Sequence, residues 1–412
     1  MSAVIPSLAS PDSSLAFVAD GYRYISKTAD RLGTDAFRTR LMGRPVTCIR
    51  GPEAARMFYE GGRLNRDHAM PRSVFHLLQD EGSVQSLEGE SHAHRKQGFL
   101  DVLQGGGDGD LAAVFEDEFT AAIERWRTKD TIALHDELGP LFTRTVFRWA
   151  GVPEVSDAEF RRRTGQLAAM VERAGTFGPL NWSARGRRHS AEKWARALIA
   201  DVRSGAVVVP VASPVAAVAS WTGDDGAALP VEVAAVELLN LLRPTVALVR
   251  FVEFAALALG RLPWRRQALA ASDDGLGDFA NEVRRRTPFF PVIAGRVQKP
   301  FTWLEHDFED RDWVMLDLYG TNHDARLWRE PYRFRPERFT EGEDPRHIVA
   351  QGGGDYLADH RCPGEPATNA ILASATRLLA RSSWRLEPGQ DLRVTWSEMP
   401  AKIRSGLRLR FA

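Results

Sequence analysis

The chain has 412 residues, 44% of them apolar and 26% charged, enough to bury a large core. Its 54 basic and 54 acidic residues cancel, which argues against a general nucleic-acid or membrane-surface binder, since either needs a basic excess. Two cysteines, Cys48 and Cys362, are too few for a disulfide framework or a cysteine-rich zinc site.

Met1–Ser14 has no basic flank followed by an apolar core, so a secretory signal is not expected. Apolar residues in Ala16–Leu32 are helically spaced, and Phe37–Arg50 alternates as strands do up to the breaker pair Gly51-Pro52. Cys48 lies in that strand-like run, where a small buried hydrophobe is the plain reading. Residues 87–205 predict mostly helix, with a Gly-rich turn at 105–109. Ala206–Ala228 contains Pro210, Pro214 and Gly223 and reads as an irregular connector or short helical pieces. Pro230–Leu259 is apolar on nearly all faces, which predicts a long buried helix, with Arg243, Pro244 and Arg250 inside it. Pro244 has no N–H to donate, so the helix should distort there. A helix over Gly277–Arg286, strand-like pieces over 291–297, 301–304 and 313–318, and an irregular Pro331–Phe339 follow. The Gly-rich Gln351–Gly354 loop leads to Cys362, a helix runs from near Glu365 to about Arg381, and the last 25 residues read as strands. No stretch reaches the roughly 18–20 apolar residues of a membrane span. The expectation is a mainly α chain with small β-sheets, one domain over residues 1–412, soluble and cytoplasmic.

The chemistry centres on His360-Arg361-Cys362-Pro363-Gly364-Glu365. A cysteine just before a helix start meets backbone N–H groups that favour a thiolate. Basic His360 and Arg361 could pair with anionic groups of a cofactor, and a thiolate there suits an iron ligand. The motif alone leaves a structural or redox cysteine equally open. Glu282 and Arg285 lie one turn apart and can pair, although an isolated Glu-x-x-Arg is common on solvated helices. Downstream comes Phe334-Arg335-Pro336-Glu337-Arg338-Phe339. The three elements, in this order and spacing, resemble the cytochrome P-450 superfamily. The resemblance implies that fold, with haem b between a long distal helix and a proximal cysteine loop, its iron ligated by Cys362. It also implies a structural network of Glu282, Arg285 and Arg338.

Further segments look like the bacterial fatty-acid peroxygenase family within that superfamily. These are Leu239–Ala247, Leu316–Asp324, Gln351–Gly354, and Gln85 followed by Gly89, His92, His94, Arg95 and Lys96. The match runs from about Gly21 to the C-terminus. A guanidinium inside an apolar helix is costly unless paired. Arg243 is therefore either neutralised by an internal acid or faces a cavity and binds a substrate carboxylate, possible in bidentate fashion. Ordinary monooxygenases of the superfamily carry an acid–alcohol pair at this level, where this chain has Leu242-Arg243-Pro244-Thr245. The resemblance implies hydroxylation of a fatty or fatty-acid-like carboxylic acid at the α or β carbon by hydrogen peroxide. The substrate carboxylate on Arg243 would be the acid–base group, and no redox partner would be required. Gln85 stands where some relatives carry His, and Gln resembles the hydroxylating members. Arg66, His92, Lys96 and His360 are candidates for haem propionate contacts; each also reads as a surface residue. Gln79, Ala174 and Val292 stand at pocket positions that tend to be aromatic in long-chain enzymes, which suggests a roomier or more polar cavity. Open alternatives are decarboxylation to an alkene, oxidation of a bulkier acid, a redox-partner-dependent monooxygenase, and a non-catalytic haem ligand sensor.

Overall fold

The computed structural model describes residues 5–80, 82–105 and 110–412; the expected Gly-rich turn lies, beyond Gly105, outside them. A five-stranded sheet is built from β1 (Ala36–Leu41), β2 (Arg44–Ile49), β3 (Leu64–Asn65), β4 (Val292–Val297) and β5 (Trp313–Asp317), in the order β1-β2-β5-β4-β3. β2 and β5 run parallel, with Thr47 opposite Val314, and the other pairs are antiparallel. Successive side chains of a strand point to opposite faces. Central β5 is buried on both, sending Val314 and Leu316 into one apolar cluster and Trp313 and Met315 into another. Cys48 sits in the second cluster, fully buried, and burial pushes its thiol pKa up.

The rest is mainly helical. The helices that frame the centre are α1 (Arg72–Leu78), α2 (Gly89–Gln104), α3 (Leu111–Arg127), α4 (Leu134–Ala150), α5 (Asp157–Glu172), α6 (Pro179–Ser204), α7 (Val231–Ala247), α8 (Val249–Arg261), α9 (Leu276–Arg286) and α10 (Glu365–Arg381). Their starts carry local signals: Asp110 caps α3 by accepting from the Ala112 N–H, and Ser156 caps α5 by accepting from the Glu159 N–H. α7 packs against α4, α5 and α6, and α10 packs against α3, α8 and α9. Each is buried on several sides, which is why Pro230–Leu259 reads as apolar all round. No helix among the described residues is long and apolar enough to cross a membrane.

Two expectations are corrected. The predicted single helix is two, and the interruption falls at Leu248 rather than at Pro244. Helical backbone continues through Pro244 although its nitrogen cannot donate to the Asn240 carbonyl; the Leu248 N–H then bonds the Thr245 carbonyl at 3.2 Å, three residues back. The C-terminal stretch is mostly not strand. Arg408–Phe411 pairs with Trp384–Leu386 and with Ile132–Ala133, while Pro388, Gly389, Pro400 and Gly406 interrupt the intervening chain.

The expected ionic network is present. Glu282 accepts from Arg285 Nε and Nη2 at 2.8 Å each and from Arg338 Nε at 3.0 Å, with all three residues fully buried. Arg285 also donates to the Asn322 carbonyl at 2.7 Å, and Arg338 pairs with Glu343 at 2.6 Å. The network ties α9 to the segment that leads into the cysteine loop. Because removing one partner strands buried charge, Glu282→Ala should lower stability by about 3–5 kcal/mol, read as a shifted denaturation midpoint. His323 gives a second prediction. Burial first, then Arg285, pushes its pKa well below the ordinary value. Folded His323 therefore stays neutral where an unfolded histidine takes a proton, below a pH of about 6.5. Its contribution is whole above that pH and erodes as pH falls, by up to about 1.4 kcal/mol per pH unit. Stability of His323→Gln should fall less steeply between neutral pH and pH 5 or so than that of the parent; parallel curves would refute the assignment.

Candidate active site

The cysteine loop is held from both ends. The Cys362 N–H donates to the Gln351 carbonyl at 3.0 Å, and the Glu365 N–H that opens α10 donates to the Cys362 carbonyl at 3.2 Å. Gly352 adopts φ +92°, and a Cβ there would press on the His360 carbonyl at 3.0 Å. A Cβ on Gly353 would meet the Tyr59 ring at 2.7 Å. Arg284 of α9 braces the loop: its Nε donates to Gln351 Oε1 at 2.9 Å and its Nη2 pairs with Glu365 at 2.8 Å. Arg361 also pairs with Glu365, at 2.7 Å. Arg361 is thus committed to the loop's own structure rather than to an external anion.

Cys362 lies deep in the protein yet keeps exposed surface, because it borders an internal cavity of about 330 Å³. The sulfur accepts from the Gly364 N–H, and Arg284 and Lys96 favour its charged form, but burial outweighs them and raises the thiol pKa. The loop alone therefore does not make the thiolate that the helix-start position suggested, since desolvating an anion costs more than one N–H and distant cations return. A bound metal cation would remove the proton.

One end of the cavity is basic. Arg66, His92, Lys96 and His360, all expected cofactor contacts, line it. The His92 and His360 rings lie 4.1 Å apart between centroids. Burial, with His360 and Lys96 adding, pushes His92 down to about 3. Burial pushes Lys96 down to about 8, and its ammonium donates to the Arg361 carbonyl at 3.0 Å. The Glu88 carboxylate lies 3.3 Å from His360 and accepts from the Arg66 backbone N–H at 2.7 Å, and its charge favours the Arg66 guanidinium. Buried cations are expensive, and Arg66 and Lys96, beside the His92 and His360 imidazoles that burial keeps neutral, fit a planar group that carries carboxylates and reaches the sulfur in the same cavity. The residues present thus suit haem.

The opposite wall comes from α7. Arg243 and Pro244 line the cavity, and Gln85 joins them from the segment before α2. Arg243 is buried, and burial, with Arg188 adding, pushes its pKa down to about 9. It donates from Nη2 to Asn240 Oδ1 at 2.9 Å and from Nη1 to the Leu77 carbonyl at 3.3 Å. Among the described residues no carboxylate is ion-paired with it. Glu237, two turns back on α7, instead pairs with Arg95 at 2.7 Å and accepts from Asn240 at 2.8 Å. Asn240 also donates to Gln85 Oε1 at 3.2 Å. Arg250, the other cation of the predicted long helix, pairs with Glu172 and, at 3.4 Å, with Glu253. The Thr245 hydroxyl donates to the Leu241 carbonyl at 3.0 Å.

Gln79 and Val292 line the cavity as expected. Ala174 does not; it is buried, and Val171 from the end of α5 lines the cavity instead. The chain turns out of α5 at Arg173, so the face that Val171 presents is not continued by Ala174. Sequence reasoning missed Asn240, Glu237 and Arg95 as parts of the site. Glu237, Asn240 and Arg243 recur every three residues in an apolar helix, a signal that was there to read. Arg95 could be found only in three dimensions.

No family model matches the chain. Among curated proteins, it is 28% identical over 125 residues to cytochrome P-450 1A1 of Opsanus tau, covering 29% of this chain and 24% of that protein. It is 30% identical over 122 residues to an ent-kaurene oxidase of Salvia miltiorrhiza, covering 28% and 22%. The matched part thus spans under a quarter of the length of these relatives. Solved structures match end to end. Cytochrome P-450EX alpha (CYP152N1) with myristic acid has a TM-score of 0.92 and 35% identity, covering 99% of this chain and 98% of that one. Cytochrome P-450SP alpha (CYP152B1) in complex with (R)-ibuprophen gives 0.91 and 39%, covering 97% and 98%. A variant of cytochrome P-450 OleT with arachidonic acid gives 0.92 and 28%, covering 99% and 98%. Replacing Cys362 by Ala should leave the loop braced by Arg284 and Glu365 but remove the sulfur. The absorption spectrum of the reduced carbon monoxide complex should then lose its thiolate signature; a retained signature would exclude Cys362 as the ligand.

Proposed function

The chain belongs to the CYP152 family of cytochromes P-450, a haem-thiolate family, and on that premise we propose that it is a peroxygenase that hydroxylates carboxylic acids with hydrogen peroxide. The observation that carries this is Arg243: a buried guanidinium on the cavity wall, without an ion-paired acid among the described residues, in the same cavity as the Cys362 sulfur. Arginine has five N–H donors, and two hydrogen bonds to protein acceptors hold this one in place. Donors remain for a carboxylate, and a substrate anion would supply the charge that α7 withholds.

Cys362 would hold haem b by its thiolate, and Arg66, His92, Lys96 and His360 would hold the propionates. The b type is favoured because Cys48, the other cysteine, is buried in the sheet core and is not available for a thioether. The bound haem would supply the activation of peroxide at its iron. The protein's part is acid–base and positional. Arg243 places the substrate carboxylate in the cavity, where one carboxylate oxygen takes a proton from peroxide and returns it to the departing oxygen. The peroxide O–O bond breaks, one oxygen enters a C–H bond of the acid, and the other leaves as water. Asn240 fixes the Arg243 fork and the Gln85 amide together. With its carboxylate pinned, the acid offers its α and β carbons to the oxidising centre. Val171, Leu241, Leu248, Phe289 and Phe290 line the cavity and exclude water.

Among the described residues no carboxylate is ion-paired with Arg243 in the substrate's place. Glu237 is occupied by Arg95 and Asn240, and the Thr245 hydroxyl is bonded to the helix. This favours peroxide over a redox partner as the source of oxidising equivalents. Gln85, an amide rather than an imidazole, supports hydroxylation over decarboxylation. A cytoplasmic site of action is part of the reading, supported by two free cysteines. With peroxide as sole oxidant, Arg243→Ala should lose turnover of carboxylic acids by about 100-fold or more, as expected for a charge-assisted contact worth several kcal/mol. Product formation measured by mass spectrometry, unchanged in that variant, would overturn the proposal.

A further inference from the structure

We propose, resting on the carboxylate reading above, that Gln79 makes the cavity selective for carboxylic acids that carry a hydroxyl on the part of the chain nearer the carboxylate. Gln79 lines the cavity and is buried, and among the described residues its Oε1 has no hydrogen-bond partner. A buried amide oxygen left without a donor costs free energy, and native structures retain few such groups. A bare alkyl chain cannot satisfy it. A hydroxyl can, whichever way the amide is turned, because it both donates and accepts.

The main chain of Gln79 is firmly placed, so the amide is presented rather than loose. Its N–H donates to the Phe75 carbonyl at 2.9 Å, and its carbonyl accepts from Arg188 Nη2 at 3.1 Å. Arg188 is in turn fixed by Glu192 at 2.6 Å. Two residues before Gln79, the Leu77 carbonyl accepts from Arg243 Nη1 at 3.3 Å. Two residues of chain span at most roughly 7 Å. The main chain of Gln79 therefore lies beside the segment that holds Arg243, toward the carboxylate end of a bound acid. Val74, Leu78 and Val292, which also line the cavity, are apolar and offer a substrate hydroxyl no competing side-chain partner.

The test is calorimetric binding to the haem-loaded protein, with decanoic acid and its β-, γ- and δ-hydroxy derivatives as probes. At least one hydroxy acid should bind the parent about fivefold or more tighter than decanoic acid, the factor one net hydrogen bond supplies. In Gln79→Leu that preference should reverse, with the unsubstituted acid gaining affinity. The proposal falls if no hydroxy acid is preferred by the parent, or if the preference survives in Gln79→Leu. Arg243→Ala separates the two readings. If it weakens all four acids while Gln79→Leu changes none of their ratios, the carboxylate site stands and the hydroxyl contact does not. If it weakens none of them, the carboxylate site itself is wrong, and this inference goes with it.

Discussion

A buried guanidinium with no ion-paired acid among the described residues is the constraint around which this cavity is arranged. Glu237, on the same helix, is the acid whose charge most favours the Arg243 cation. The fold commits that acid elsewhere by bringing Arg95 from α2 onto Glu237, at 2.7 Å, and by setting the neutral Asn240 between the acid and Arg243. Arg243 is oriented by neutral acceptors and left with unbalanced charge, and burial already lowers its pKa. A substrate anion is the complement such a site lacks, and its carboxylate brings the proton-handling group that the helix does not carry. Binding and acid–base chemistry thereby become one requirement.

The same logic operates at the sulfur. Burial opposes the Cys362 thiolate, so the anion depends on the metal it would bind. The protein's work is to hold the loop: Arg284 and Arg361 share Glu365, Gln351 receives the Cys362 N–H, and the Glu282–Arg285–Arg338 network anchors the segment behind. Such buried ion pairs add little net stability against an apolar replacement, but they penalise any other arrangement of the chain. Elsewhere on the cavity wall the cations Arg66 and Lys96 sit beside imidazoles that burial keeps neutral, His92 and His360, and Glu88 only partly offsets them. Three uncompensated features thus face one cavity, each awaiting a partner of opposite character.

The local parts of this design were legible in the sequence. Glu282 and Arg285 pair because an α-helix puts them one turn apart, and the helix from Glu365 to Arg381 follows from the Pro363-Gly364 turn and its apolar periodicity. The cysteine and the buried arginine were likewise marked by composition against context: a thiol after a glycine run, and a cation in an apolar helix. Alternation marked the first two sheet strands, whereas β3, two residues long, left no pattern to read. Readings failed where local pattern competes with packing. Pro244 carries a breaker's signature, yet neighbouring helices keep α7 helical past it, and the break appears at Leu248. The C-terminal residues have strand-like composition, but pairing needs an adjacent strand, and only Arg408–Phe411 finds one on each side.

What the sequence determined by itself was therefore the inventory of charges and the short-range geometry between residues a turn or two apart. Tertiary structure decided which charge answers which. Arg95 meets Glu237 across 142 positions, Lys96 reaches the Arg361 carbonyl across 265, and Arg243 is held by Leu77 across 166. Helical or strand periodicity is blind to such distances, because Coulomb and hydrogen-bond energies depend on separation in space and on local dielectric, not on position along the chain. Whether a buried arginine is a structural strut, as Arg250 is, or an open binding group, as Arg243 is, depends on what the folded chain brings within reach.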